Sequence, residues 1–149
     1  MVQVDVFLCH ALHVIGGYPL LRRIEMIIYA RLYADESGES HFEDIEMDLT
    51  LTDYAPPAPP LSLSAFFPAS QVGFMNAPAG WSSDWHPSSA RNLFFVISGE
   101  WEVTASDGET RRFAVGSALI VEDTTGKGHS SRVVSEADSL AAMVQLDGV

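Results

Sequence analysis

The stretch that decides the fold runs from residue 80 to residue 129 and reads GWSSDWHPSSARNLFFVISGEWEVTASDGETRRFAVGSALIVEDTTGKGH. Short apolar runs alternate in it with turn sequences. The clearest turn is Ser106-Asp107-Gly108-Glu109, because Asp-Gly tolerates the positive φ values of a two-residue hairpin turn. Ala114-Val115-Gly116-Ser117 predicts a second turn. The stretch therefore predicts short β-strands joined by tight turns.

The same strand pattern extends to both sides of this stretch. From Ile27 the apolar and polar residues alternate with a period of two, and the run Tyr54–Pro60, with four prolines, predicts an extended connector or an edge segment. We expect strands at 27–33, 45–51, 61–67, 72–76, 93–97, 101–104, 110–113, 119–121, 130–134 and 140–146. Many short strands without a helical period indicate an all-β barrel or sandwich.

The spacing within residues 80–129 resembles the first motif of the cupin superfamily. In that family a glycine is followed after five residues by His-x-His, then by a carboxylate or glutamine, and seven residues later by a second glycine. Gly80, His86 and Gly99 match these positions. Ser88 stands in place of the second histidine, and Asn92 stands in place of the carboxylate. The scaffold positions of the motif are thus kept, while its ligand positions are half replaced.

The second cupin motif is a glycine, a proline-x-glycine turn and a histidine three residues past that turn glycine. Gly116, Gly126 and His129 match it, with Thr124 at the proline position. The resemblance implies an antiparallel double-stranded β-helix, or jelly-roll barrel. It also implies that the two motifs lie on adjacent strands and direct His86 and His129 into the barrel mouth.

The N-terminal residues differ from the rest of the chain. Residues 1–25 are close to neutral, and Gly16, Gly17 and Pro19 interrupt their apolar run. We therefore interpret residues 1–25 as an N-terminal extension and residues 26–149 as a single cupin-like barrel domain. An added strand or helix packed on the barrel is the alternative for the N-terminal residues.

Charge and composition exclude several classes of partner. The formal net charge is −12, which disfavours nucleic acid and anionic membrane surfaces. No run approaches the roughly 18 apolar residues of a membrane span. Cys9 is the single cysteine, so an intramolecular disulfide is excluded and a reducing compartment fits. We expect a soluble, cytoplasmic protein that binds neither nucleic acid nor membranes.

The histidines are the candidate catalytic residues. An imidazole in a partly buried cavity can bind a metal ion or transfer a proton near neutral pH, so both roles are open for His86 and His129. With Asn92 they would form a weak site for a divalent metal such as Zn, Ni, Mn or Fe, which needs three or four ligands. His41 could supply a third imidazole, or a general acid or base. The alternatives are packed histidines at 86 and 129 and a surface histidine at 41.

Aromatic residues around the first motif predict a cavity for a small organic ligand. Trp85, Phe94 and Asn92 are the candidate ligand contacts, and Arg91 lies close enough to meet an anionic substrate. Asp84 could orient an imidazole by accepting its second N–H. Core packing explains the aromatic residues equally well, and Arg91 could be a solvated strand residue.

The resemblance implies one function and leaves an alternative open. Cupins with depleted metal ligands resemble lyases, isomerases, dehydratases and cyclases, which favours histidine proton transfer on a small molecule with an optional divalent metal. The alternative is a non-catalytic ligand-binding or structural cupin whose metal site has decayed. We also expect a homodimer, paired through the N-terminal strands before Glu43.

Overall fold

The computed structural model describes residues 27–147, which form strands and contain no helix, so none that could cross a lipid bilayer. The strands are β1 (Ile27–Ala34), β2 (Ser40–Met47), β3 (Thr50–Thr52), β4 (Leu61–Leu63), β5 (Ala69–Ala77), β6 (Asn92–Ser98), β7 (Trp101–Ala105), β8 (Thr110–Phe113), β9 (Ala118–Val121), β10 (His129–Val133) and β11 (Ser139–Leu146). The all-β prediction is confirmed. The division at residue 25 and the position of Cys9 lie outside the described residues.

The strands form separate sheets. A six-stranded sheet has the order β2-β1-β9-β6-β11-β5, a three-stranded sheet has the order β10-β7-β8, and β3 pairs with β4. Within residues 27–147 these sheets are not closed into one barrel. One pair also departs from the predicted antiparallel pattern, because β1 and β9 run parallel. The chain between them is long enough for the return crossover that a parallel pair requires.

The two larger sheets pack face to face as a sandwich around one apolar core. Leu32 and Phe42 of the large sheet belong to the same buried cluster as Val103 and Phe113 of the small sheet. The rings of Phe42 and Phe113 meet across the sheets with centroids 6.1 Å apart. Burial of such side chains contributes about 1.5–3 kcal/mol each, so this cluster holds the sheets together.

Both predicted turns are present. In the β7–β8 hairpin the Ala105 N–H donates to the Glu109 carbonyl at 2.9 Å, and Gly108 has a φ of 96°. In the second turn the Ser117 N–H donates to the Ala114 carbonyl at 3.0 Å. The proline-rich run is also confirmed as a connector, since it joins β3 to β4.

The predicted strand at 45–51 differs from the observed one. The structure divides it into β2, which ends at Met47, and β3, which begins at Thr50. β2 also begins earlier, at Ser40, because this residue is anchored by long-range contacts. Its hydroxyl donates to the Gly128 carbonyl at 2.7 Å, and its N–H donates to Ser106 Oγ at 2.8 Å. Contacts between residues this distant in the chain are not readable from a local period.

Candidate functional site

A cavity of about 260 Å³ lies between the two sheets and opens to solvent. Its wall is mainly apolar and is formed by strands of both sheets together with the segment that precedes β6. The apolar lining includes Met75, Trp81, Phe94, Trp101, Leu119 and Met143. The polar lining includes His86, Ser88, Asn92, His129 and Ser131. The cavity therefore combines an aromatic wall with two imidazoles.

His86 and His129 are brought together by a two-residue β-bridge. His129 is the first residue of β10, and the N–H of each histidine donates to the carbonyl of the other at 3.0 Å. The ring centroids are 4.8 Å apart. His86 is exposed and His129 is buried, so the pair extends from the cavity mouth inward.

Gly128 makes this close approach of the two backbones possible. Its φ is +72°, which L side chains rarely adopt, and a Cβ at this position would lie 2.1 Å from the carbonyl carbon and oxygen of His86. Only glycine leaves room for the His86 backbone here. The sequence interpretation overlooked this residue, although the Gly-Lys-Gly run directly before His129 was a visible signal.

The orientation of His129 is set by a buried carboxylate. Asp123 is fully buried, and its Oδ2 lies 2.6 Å from His129 Nδ1. An ionised carboxylate only accepts hydrogen bonds, so Nδ1 carries the proton and Nε2 of the neutral ring is free. The second oxygen, Oδ1, has no hydrogen-bond partner among the described residues. Asp123 is thus a site residue that the sequence interpretation missed, because its burial depends on how the loop 122–128 closes.

His86 is oriented by a main-chain group instead. Its Nδ1 lies 2.8 Å from the backbone carbonyl oxygen of Asp84. A carbonyl cannot donate, so Nδ1 must carry the proton and Nε2 is again the free nitrogen of the neutral ring. The interpretation that the Asp84 side chain orients an imidazole is therefore wrong, since the contact is made by its backbone.

We expect Asp123→Ala to release the ring of His129, because loss of an orienting partner frees the imidazole to change tautomer and to rotate. The matched control is Asp84→Ala, which keeps the backbone carbonyl that holds His86. Histidine side-chain ¹H–¹⁵N spectra should show His129 changing tautomer only in Asp123→Ala. Equal effects of the two substitutions would contradict this assignment.

Asn92 and Phe94 line the cavity, whereas Trp85 does not. Asn92 Nδ2 donates to the Ala90 carbonyl at 3.0 Å, and the Ser88 hydroxyl donates to the same carbonyl at 2.6 Å. Both polar side chains therefore serve the turn before β6. Trp85 is 54% exposed and lies outside the cavity. The indole at the cavity on this segment belongs to Trp81.

Arg91 is not brought to the cavity either. It directly precedes Asn92, so its side chain points to the opposite face, where its Nε donates to Glu122. Arg31 Nε donates to the second oxygen of Glu122 at 2.6 Å. Burial raises the pKa of the Glu122 carboxyl, but the hydrogen bonds from Arg91 and Arg31 outweigh it and the pKa is lowered. Arg91 is thus neutralised by an ion pair outside the cavity.

His41 lies away from the cavity, between two carboxylates. Its Nδ1 is 2.7 Å from Asp107 Oδ2, and its Nε2 is 3.1 Å from Asp35 Oδ2. The hydrogen bonds to Asp35 and Asp107 raise the pKa of the imidazole above its usual 6.5. His41 therefore links the β1–β2 turn to the β7–β8 hairpin and does not supply a third imidazole to the site.

The His41 contacts predict a pH-dependent contribution to stability. A histidine whose pKa is higher in the folded state than in the unfolded state stabilises the fold while it is protonated. For His41 this contribution is fully present below the unfolded pKa of 6.5, and it is lost as the pH rises through the folded pKa. The free energy of unfolding of the wild type should therefore exceed that of His41→Gln more at about pH 6 than at about pH 9. Urea unfolding at both pH values checks this, and a difference independent of pH would contradict it.

The donor set at the cavity falls short of a metal site. A divalent ion needs three or four protein ligands, and the two imidazole Nε2 atoms of His86 and His129 provide two. Residues 27–147 contain no group of three or more His, Cys, Asp and Glu side chains placed to hold a metal ion. The amide nitrogen of Asn92 donates to the turn, which leaves one neutral oxygen as a third donor. The set thus reaches three donors at most and contains no carboxylate, so it would bind zinc, nickel, manganese or iron only weakly.

Comparison with known proteins returns similarity in structure alone. No protein-family model matches the chain, and no curated protein matches it. Among solved structures, the chain is similar to a cupin domain from Bordetella pertussis, with a TM-score of 0.42 and 16% identity over 52% of this chain and 80% of that one.

Two further solved structures show a similar degree of likeness. The Cnp3 cupin domain of Schizosaccharomyces pombe has a TM-score of 0.44 and 17% identity over 72% of this chain and 78% of that one. A protein from Thermotoga maritima, described as a predicted oxalate decarboxylase, has a TM-score of 0.42 and 18% identity over 86% of this chain and 99% of that one. Two of these three structures are named as cupin domains, which is the family that the motif spacing of residues 80–129 resembles.

Proposed function

We propose that this chain is a small cupin-type protein that binds a small organic molecule between its two sheets, where His86 and His129 act on it by proton transfer. The observation that carries the proposal is the pairing of the two imidazoles, 4.8 Å apart, at one mainly apolar cavity. We also propose that the strands of the sandwich are connected as in the jelly roll of cupins.

The cavity wall supports a small ligand with a largely apolar body. Phe94 and Trp101 meet edge to face with centroids 5.4 Å apart, and Trp81 packs against Trp101 at 5.5 Å. Such rings favour flat apolar molecules. The volume of about 260 Å³ lies just below the range of about 300–1,000 Å³ found for drug-sized ligands. A compact ring or a short chain that carries one polar or acidic hydrogen fits these surroundings.

The two histidines differ in a way that suits proton transfer. His129 is buried, and its free Nε2 can accept a proton from the ligand while Asp123 faces the imidazolium that forms. His86 is exposed at the cavity mouth, so its Nε2 can take up a proton from water and deliver it to the ligand, while His129 releases the proton that it accepted to water before the next turnover. This division of roles supports an isomerase, lyase, dehydratase or cyclase reaction. In such a reaction the groups that the protein contributes are the two imidazole rings and the Asp123 carboxylate.

A specific observation favours a second candidate, a non-catalytic ligand-binding protein. Ser88 and Asn92 stand at two positions where cupins carry metal ligands, and both side chains are hydrogen-bonded to the Ala90 carbonyl. They serve the local turn in this chain. A binding protein of this kind would be stabilised by its ligand without converting it.

The experiment that tests the proposal is a ligand screen with a chemical readout. We expect small cyclic ketones to raise the melting temperature of the full chain in the presence of a chelator. Incubation of each stabilising compound in D₂O then reports hydrogen exchange next to its carbonyl group. Stabilisation with exchange supports proton transfer, and stabilisation without exchange favours the binding protein. No stabilisation by any compound would contradict both.

A further inference from the structure

The edge strand β5 has the properties of an interaction surface. It lies at one end of the six-stranded sheet, and within residues 27–147 its strand partner is β11 alone. The main-chain N–H and C=O groups on its other side are therefore open to a further strand. Its nine residues, ASQVGFMNA, include neither a charged residue nor a proline. Val72 is 71% exposed and Phe74 is 74% exposed.

The opposite edge of the same sheet is built differently. There β2 carries Glu43, Asp44 and Glu46 within its eight residues. Glu43 pairs with Arg31 at 2.6 Å, and Asp44 pairs with Arg111 at 2.6 Å. Charges of this kind prevent edge strands from pairing with other chains. Within residues 27–147 the sheet thus carries charges on one edge, whereas the other edge is long, unpaired and uncharged.

The exposed apolar surface continues from β5 onto its neighbours. Phe74 lies opposite Ala142 of β11, and Ala142 lies opposite Phe95 of β6. Phe95 and Ile97 are 40% and 43% exposed. The outer face at this end of the sheet is therefore apolar over three adjacent strands. The part of this face that β5 forms contains no charged side chain, although the chain has a net charge of −12.

We propose that β5 pairs antiparallel with β5 of a second copy of this chain, which continues the sheet across a two-fold axis. Gly73 is the central residue of β5, so an axis at Gly73 pairs all nine residues. Val72 then lies opposite Phe74 of the partner subunit, and Phe74 lies opposite Val72 of the partner subunit. The two most exposed apolar side chains of the strand cover each other in this arrangement.

A second copy is the occupant that the charges favour. Two chains of net charge −12 repel each other at most orientations, and a strand without charged residues is a place where they can meet without like charges. The self-complementary geometry also needs no second kind of surface on the molecule. This pairing replaces the N-terminal strands as the expected dimer contact and does not depend on the ligand.

The test compares the full-length wild type with Val72→Lys/Phe74→Lys and with the matched control Val115→Lys. Val115 is 64% exposed and lies in the β8–β9 turn, outside the sheet. Mass is measured by light scattering after size exclusion. We expect twice the 16.2 kDa chain mass for the wild type and the control, and a single chain mass for the double variant. The two lysines reduce the net negative charge and therefore the overall repulsion between two chains. Dissociation of the double variant could therefore not be a result of increased overall repulsion.

Hydrogen exchange of the wild type provides a second readout that does not require a folded variant. The β5 amides that do not face β11 should be protected in the dimer and should exchange faster on dilution to the monomer. A monomeric wild type, including one whose residues 1–26 shield β5, would overturn the proposal. A dimer that persists in the double variant, or one in which the open β5 amides exchange freely, would overturn it as well.

Discussion

His129→Ala is expected to lower the rate of proton exchange on a bound substrate by about 10²–10⁴-fold, which is the usual contribution of a positioned general acid or base. The reason is that the proposed function makes Nε2 of His129 the proton acceptor, on a buried ring that Asp123 holds in place. His86→Ala should reduce the same rate, because no ring at the cavity mouth would deliver a proton from solvent to the substrate. Exchange of substrate hydrogen in D₂O measures both effects.

The control for this prediction is His41→Ala. His41 is bonded to Asp35 and Asp107 outside the cavity, so its removal should leave the exchange rate unchanged. Circular dichroism of each variant establishes that the fold is intact. Unchanged exchange in both His86→Ala and His129→Ala would contradict the role of the imidazoles and leave the binding protein as the supported function.

Gly128→Ala is expected to destabilise the fold by at least about 2 kcal/mol, because a left-handed backbone angle alone costs an L residue about 1–2 kcal/mol. The added Cβ would also lie 2.1 Å from the His86 carbonyl and force the two backbones apart. Urea unfolding measures the loss of stability. The same displacement separates His86 from His129, so ligand stabilisation should fall as well.

Gly108→Ala is the matched control for the backbone angle. Gly108 has a φ of +96° in the β7–β8 turn, and a Cβ there would meet no atom within 4 Å. The free energy of unfolding of this variant should fall by about 1–2 kcal/mol because of the backbone angle. Its stabilisation by ligand should stay unchanged. Equal losses in the two variants would mean that the close approach of Gly128 to His86 contributes nothing.

The strand content of the fold could be predicted from local sequence, whereas the pairing of strands that are distant in the chain could not. Alternation of apolar and polar residues located most strands, and Asp-Gly located the β7–β8 hairpin, because both depend on neighbours in the chain. The parallel pairing of β1 with β9 depends on a contact between residues about ninety positions apart. The start of β2 at Ser40 depends in the same way on Ser106 and Gly128.

The part of the site that could be predicted from the sequence is the part that depends on motif spacing. The positions of His86 and His129 followed from the glycines around them, and strand alternation placed Phe94 on the same face as Asn92. The same alternation places Arg91 on the opposite face from Asn92, so its absence from the cavity was readable. Asp123 and Gly128 were missed, because a buried carboxylate and a backbone contact become visible only when the loop before β10 is closed.

The contact between the two imidazoles is tested most directly by the nuclear Overhauser effect between the ring protons of His86 and His129, assigned with single His→Gln variants. With ring centroids 4.8 Å apart, we predict a clear cross-peak between the two rings in the folded full-length chain. Absence of that cross-peak, with both rings assigned and the fold intact, would contradict the shared cavity on which the proposed function rests.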